Sequence, residues 1–113
     1  MFETIYLLRE RVKNAAQNEV YISIESLRDV VFKELLGEDG IAIYSSEADF
    51  YEDLRRLQKL PLTISGDKVV INREKFLEAT RFVERQEALL KGDKYAVDIF
   101  NKLKQRAQRI QPL

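Results

Sequence analysis

Residues 50–71 read Phe50-Tyr-Glu-Asp-Leu-Arg-Arg-Leu-Gln-Lys-Leu60, then Pro61, then Leu62-Thr-Ile-Ser-Gly-Asp-Lys-Val-Val-Ile71. Phe50, Leu54 and Leu57 recur at helical spacing and share one face. Pro61 lacks an amide hydrogen and disfavours a helical residue before it, so that helix is over by Leu60. Ser46 followed by Asp49 has the pattern of a capping box, with Asp where Glu or Gln is usual, and opens the same helix. Beyond the proline, Gly66-Asp67 lies between the strand-like runs 62–65 and 68–72 and predicts a hairpin. A side-chain period of two puts Leu62, Ile64, Val69 and Ile71 on one face of it.

Upstream, residues 2–16 place Phe2, Ile5, Leu8, Val12, Ala15 and Ala16 on one stripe, the template of an amphipathic helix. Asn18 stops it, and the β-branched and aromatic run Val20 to Ile24 predicts a short strand. Helical spacing returns over 25–36 through Leu27, Val30, Val31, Leu35 and Leu36, with Gly37 placed to end it. Gly37 to Gly40 is a turn cluster, and Ile41 to Tyr44 is an apolar piece that either pairs as a strand or packs. Downstream, one helix is predicted over 73–90, carrying Phe76, Ala79, Thr80, Val83 and Leu90, with Phe82 and Leu89 on a neighbouring face. Gly92 ends it and Asp93 caps the next, whose stripe is Ala96, Ile99, Phe100, Leu103, Ala107 and Ile110. The expectation is a mainly α protein with a small β-hairpin, one domain over 1–113 with 73–113 as a helical extension.

The 113 residues carry 19 basic and 19 acidic side chains, with no His, Cys or Trp. That excludes disulfides, thiolate metal sites, the usual general base and the commonest metal ligand. The four glycines fit turns and form no phosphate loop. Glu38-Asp39 lacks the ligand spacing of a calcium loop and reads as a solvated turn. Tyr21, Tyr44 and Tyr51, scattered among apolar neighbours, read as half-buried packing. The expectations are no enzyme, no cofactor and no metal, and a cytoplasmic protein without a membrane span or signal peptide.

The order of elements resembles the winged helix-turn-helix superfamily, over residues 20–72. Tyr21-Ile-Ser-Ile-Glu-Ser-Leu-Arg-Asp-Val-Val31 is similar to the short strand leading into that motif's first helix. The stretch 50–71 is similar to its second helix running into the wing. The resemblance is one of topology and spacing and points to no particular family within the superfamily. Residues 37–45 form a longer connection than the tight turn usual between the motif helices. The resemblance implies a double-stranded DNA-binding regulator whose second helix enters the major groove while the wing touches the backbone.

On that helix the outward positions are Ala48, Asp49, Glu52, Arg55, Arg56 and Lys59. Two accounts fit them. In one, Arg55, Arg56 and Lys59 contact phosphate or a guanine edge, Lys68 and Arg73 help from the wing, and Ser45 and Ser46 present the helix N-terminus to a phosphate. In the other, acids near the start and bases near the end complement the helix dipole, and Glu52 pairs with Arg55 or Arg56. Residues 37–60 hold 3 bases and 6 acids, whereas 61–113 hold 11 and 7. Lys102, Lys104, Arg106 and Arg109 make a basic chain end that either tracks phosphate or answers the dipole of the last helix.

The last two helices form a candidate αα-hairpin that either completes the core or makes a two-fold interface. A homodimer through these helices is expected, spacing two motif helices for two half-sites. The competing expectation is an interaction module that docks a protein partner, suggested by the acid-headed motif helix. Single-stranded nucleic acid fits less well, because no aromatics are arrayed on the strand pair.

Overall fold

In the computed structural model, the structure describes residues 1–32 and 39–111. The elements are α1 (Phe2–Lys13), β1 (Glu19–Ser23), α2 (Ile24–Phe32), α3 (Glu47–Arg56) with a 3-10 turn at Leu57–Lys59, β2 (Leu62–Ser65), β3 (Lys68–Asn72), α4 (Arg73–Ala79), α5 (Arg81–Leu89) and α6 (Lys94–Ala107). The end of the helix expected over 25–36, its Gly37 stop and Glu38 lie outside the described residues.

The hairpin forms at the expected positions, but it is not alone. β1 pairs antiparallel with β3, giving a three-stranded sheet in the order β1-β3-β2. The register explains the pattern of side chains. Val20, Ile71 and Leu62 align in one row, and Ile22, Val69 and Ile64 in another. These are the inward rows: Ile22, Val69 and Ile71 are fully buried, Val20 and Leu62 nearly so, and Ile64 packs at the margin. Tyr21, Val70 and Thr63 form an outward row between them. The alternation is the period-two expectation carried across a third strand.

Gly66 turns the hairpin at φ 62°, a conformation costly for residues with a Cβ. The turn is fastened to the protein, because the Ile24 amide donates to the Asp67 carbonyl at 2.9 Å. At α3, Ser46 Oγ accepts from the Asp49 amide at 3.2 Å, the N-cap the sequence predicts. The Asp49 carboxylate accepts instead from Ser45 Oγ at 2.7 Å.

Two helices replace the single one expected over 73–90. The chain breaks at Thr80, whose hydroxyl donates to the Phe76 carbonyl at 2.6 Å. The buried Arg9 of α1 completes the break, donating to the Leu77 carbonyl and to Thr80 Oγ1, both at 2.8 Å, and to the Glu84 carboxylate. A hydroxyl bonding back into its own helix competes with the backbone ladder, and the arginine supplies donors for the carbonyl freed at the helix end.

α1 packs against α4 and α6. Phe100, Leu103, Ala107 and Ile110 are buried in the chain's own core. The Phe100 ring lies 5.1 Å from Tyr6 and 6.4 Å from Phe2, centroid to centroid. The apolar stripe of the last helix thus completes the monomer. What the C-terminal helices leave exposed is a different set: Phe82, Leu89 and Tyr95.

The 41–44 piece packs without pairing as a strand. Tyr44 is buried and hydrogen-bonds Thr4 Oγ1 at 2.6 Å. Asp39 is not the free surface carboxylate expected: partly exposed, it takes the buried Arg106 guanidinium from α6, Nε to Oδ2 at 2.9 Å and Nη2 to Oδ1 at 2.5 Å. The same Nη2 reaches the Ile41 carbonyl at 2.9 Å. Such a two-pronged charged pair is strong and directional. Among the described residues no helix is long and apolar enough to cross a membrane.

Candidate nucleic-acid interface

The outer face of α3 is built by what its inner face buries. Phe50 is fully buried with its ring edge-on to Phe32 and Tyr44, and Leu54 and Leu57 sit beside it in the core. Ala48, Asp49, Tyr51, Glu52, Arg55 and Arg56 are consequently exposed. The 3-10 turn carries the exposed Lys59 on beyond them.

Glu52 takes both arginines, Arg55 at 3.3 Å and Arg56 at 3.1 Å. All three side chains are solvent-exposed, so each pair contributes only about 0–1 kcal/mol. A phosphate can displace such a pair at little cost. Lys59 and Lys68 make no ion pair among the described residues. Lys68 opens β3 beside the Gly66 turn, aligned with Ser23 and Ser65. It is exposed to solvent.

The remaining expected contacts are placed differently. Ser45 and Ser46 are both engaged with Asp49. The start of α3 therefore presents the carboxylates of Glu47 and Asp49, which repel an anion and satisfy the helix dipole themselves. Arg73 is turned away from the wing: its Nε donates to the Val12 carbonyl at 2.8 Å and its Nη2 to the Lys13 carbonyl at 3.1 Å. It closes the C-terminus of α1, where unpaired carbonyls need donors. Of the seven expected residues, Arg55, Arg56, Lys59 and Lys68 keep exposed cationic groups; Arg73 and the two serines do local structural work.

The basic chain end also divides. Lys102 pairs with Asp98 at 3.0 Å and Lys104 with Glu87 at 3.1 Å, both partly exposed, whereas Arg106 is buried against Asp39. The four bases do not form one outward stripe.

Two exposed aromatics flank α3 and the sheet. Tyr51 is 45% exposed beside the α3 arginines and Tyr21 is 39% exposed on the outer sheet face. Both were expected to be half-buried packing, and only Tyr44 is buried more deeply than that. The Tyr21 hydroxyl donates to the neighbouring Glu19 carboxylate, and this bond raises its pKa above the usual 10.0. Across α2, Arg28 approaches Glu47 at 3.7 Å. Its pKa is raised above the usual arginine value, first by a hydrogen bond with Tyr51 and then by the charge of that group and nearby carboxylates. The sequence reading missed the exposure of Tyr51, and it gave no sign of the link to Arg28, which crosses between helices.

Among the described residues no group of acidic side chains is placed to hold a metal ion. No protein-family model, curated protein or solved structure matches this chain.

Proposed function

We propose that the protein is a winged helix-turn-helix DNA-binding protein, a regulator of transcription acting as a homodimer. The observation that carries this reading is the order helix, strand, helix, helix, two-stranded wing, with the wing and first strand joined as β1-β3-β2. The outer face of α3 and Lys68 at the hairpin turn are each exposed to solvent. Arg55, Arg56 and Lys59 at the end of α3 supply phosphate or groove contacts, and Lys68 supplies a backbone contact. Two copies meet through Phe82, Leu89 and Tyr95 of the C-terminal helices, since the 100/103/107/110 stripe is used within one chain.

Fluorescence anisotropy of a labelled random duplex tests it. Non-specific binding with Kd of about 1–100 μM at low salt is expected, with affinity falling as salt rises. Replacing Arg55, Arg56 and Lys59 by Ala removes up to three phosphate contacts and flattens the log–log salt slope by about 2.7. Arg73→Ala lowers stability through the lost α1 cap but leaves the slope unchanged. A triple variant that binds as tightly as wild type, with the same slope, refutes α3 as the reading element.

A second reading, a winged-helix module that docks a protein, is favoured by one observation. Glu52 and Asp49 neutralise the face around the exposed Tyr51, leaving an amphipathic rather than a cationic surface. No salt-sensitive duplex binding at about 100 μM selects this reading.

A further inference from the structure

α5 is held to the domain by one buried side chain and by polar contacts of Glu84 and Glu87. Val83 is its one deeply buried side chain, and the helix is set off by the Thr80 break before it and by the turn through Gly92 after it. Between α5 and α6 this leaves a cavity of about 370 Å³. Its apolar surface comes from Ala88 on one wall and Val97 and Phe100 on the other. The Phe100 ring is held from behind by Tyr6 and Phe2, so the floor is preformed rather than collapsible.

The charged side chains that line this cavity, Glu84, Glu87, Lys91 and Lys104, are unequally paired. Glu84 is taken by the buried Arg9. Glu87 accepts from the Tyr6 hydroxyl at 3.1 Å and pairs with Lys104 at 3.1 Å. Lys91, at the end of the α5 wall, makes no ion pair among the described residues. Both lining carboxylates are thus answered, Glu84 by Arg9 behind the wall and Glu87 by Lys104, and Lys91 is the lining cation left without a carboxylate among the described residues.

We propose that the α5–α6 cavity binds a small organic monocarboxylate with an apolar body, its chain against Ala88, Val97 and Phe100 and its carboxylate at Lys91. The volume lies in the range of small-molecule sites, roughly 300–1,000 Å³, and an apolar surface with a few placed polar groups is their usual composition; here those groups are Glu84, Glu87, Lys91, Asn101 and Lys104. An ammonium head is disfavoured because neither glutamate is left uncompensated. A second copy of the chain is the competing occupant; it would be drawn by Leu89 and Tyr95, which lie outside the cavity lining. The site is independent of what α3 binds.

Octanoate is the probe, titrated into the isotopically labelled full chain and followed by amide chemical shifts. Octan-1-ol and octylammonium serve as controls of equal chain length. The expected result is saturable shifts confined to α5, α6 and the turn between them, with Kd on the order of 1 mM or below. Lys91→Gln, a surface change that leaves packing untouched, weakens octanoate about fivefold, the size an exposed ion pair confers. Ala88→Trp fills the cavity and removes binding, its far-ultraviolet circular dichroism reporting whether it folds. The proposal is overturned by no saturation at about 10 mM octanoate. Octylammonium binding as tightly as octanoate overturns it too, as does a Lys91→Gln variant with wild-type affinity. Shifts at these residues that follow protein concentration and resist octanoate assign the cavity to a second copy.

Discussion

Replacing Asp39 by Ala removes one partner of the best-buried ion pair among the described residues. The Arg106 side chain is 1% exposed and that of Asp39 18%. Removing one partner of a buried ion pair typically costs about 3–5 kcal/mol. Arg106 keeps the Ile41 carbonyl, and the Asp39 side of the site is reached by water, so the lower end applies, about 3 kcal/mol. The Ile41 amide also loses its acceptor, Asp39 Oδ1 at 3.0 Å. At roughly 4 °C per kcal/mol the Tm falls by about 12 °C. Urea unfolding followed by circular dichroism measures the loss directly.

The same pair fixes the pH dependence of that loss. Burial pushes the Asp39 carboxyl up, but the hydrogen bonds from Arg106 and the Ile41 amide, with the charges of Arg106 and Lys102, outweigh it and hold the pKa below 3.8. A carboxylate depressed in the folded state stabilises fully above its unfolded pKa and loses that contribution as pH falls through the folded one. The gap between wild type and Asp39→Ala is therefore constant from about pH 7 to pH 5 and closes below about pH 4. Asp39→Ala combined with Arg106→Met recovers most of the loss, because no charge is left stranded. A single variant that loses less than about 1 kcal/mol, or a gap undiminished at about pH 2, refutes the reasoning.

Two further outcomes follow from single contacts. Arg9→Met keeps the apolar stem but removes the donors to Leu77, Thr80 and Glu84, costing about 2–3 kcal/mol; hydrogen exchange should speed in α5 more than in the sheet, and a uniform increase would contradict the anchoring role. Gly66→Ala costs about 1 kcal/mol through the positive φ alone, since an added Cβ meets no atom within 4 Å. Gly66→Asn should cost less in denaturant melts, as Asn tolerates that conformation better, and equal losses would point to a cause other than the backbone.

The contrast between α3 and its surroundings marks where sequence reasoning stops. Phe50, Leu54, Leu57, Ser46 and Pro61 define a helix, its start and its end within fifteen residues, through periodicity and backbone chemistry that act locally. The exposed positions Arg55, Arg56 and Lys59 followed from the same spacing, and Lys68 from its place beside the Gly66 turn. Arg73 was misplaced because its partners are the Val12 and Lys13 carbonyls, and an arginine carries no local sign of which distant helix end it will close. Arg106 read as part of a basic tail for the same reason; its carboxylate lies 67 positions away.

By itself the sequence determined the helical stripes, the Gly66 turn, the Ser46 and Asp93 caps and the inward faces of the hairpin. These depend on residues within a turn or two of one another. Tertiary structure alone decided that β1 would join β3, that Arg9 would divide 73–90 at Thr80, and that the last helix would bury its stripe in its own chain. Each of those outcomes is a competition among distant partners for a buried donor, acceptor or apolar face, and it is settled only when the chain has brought the competitors within a few ångströms.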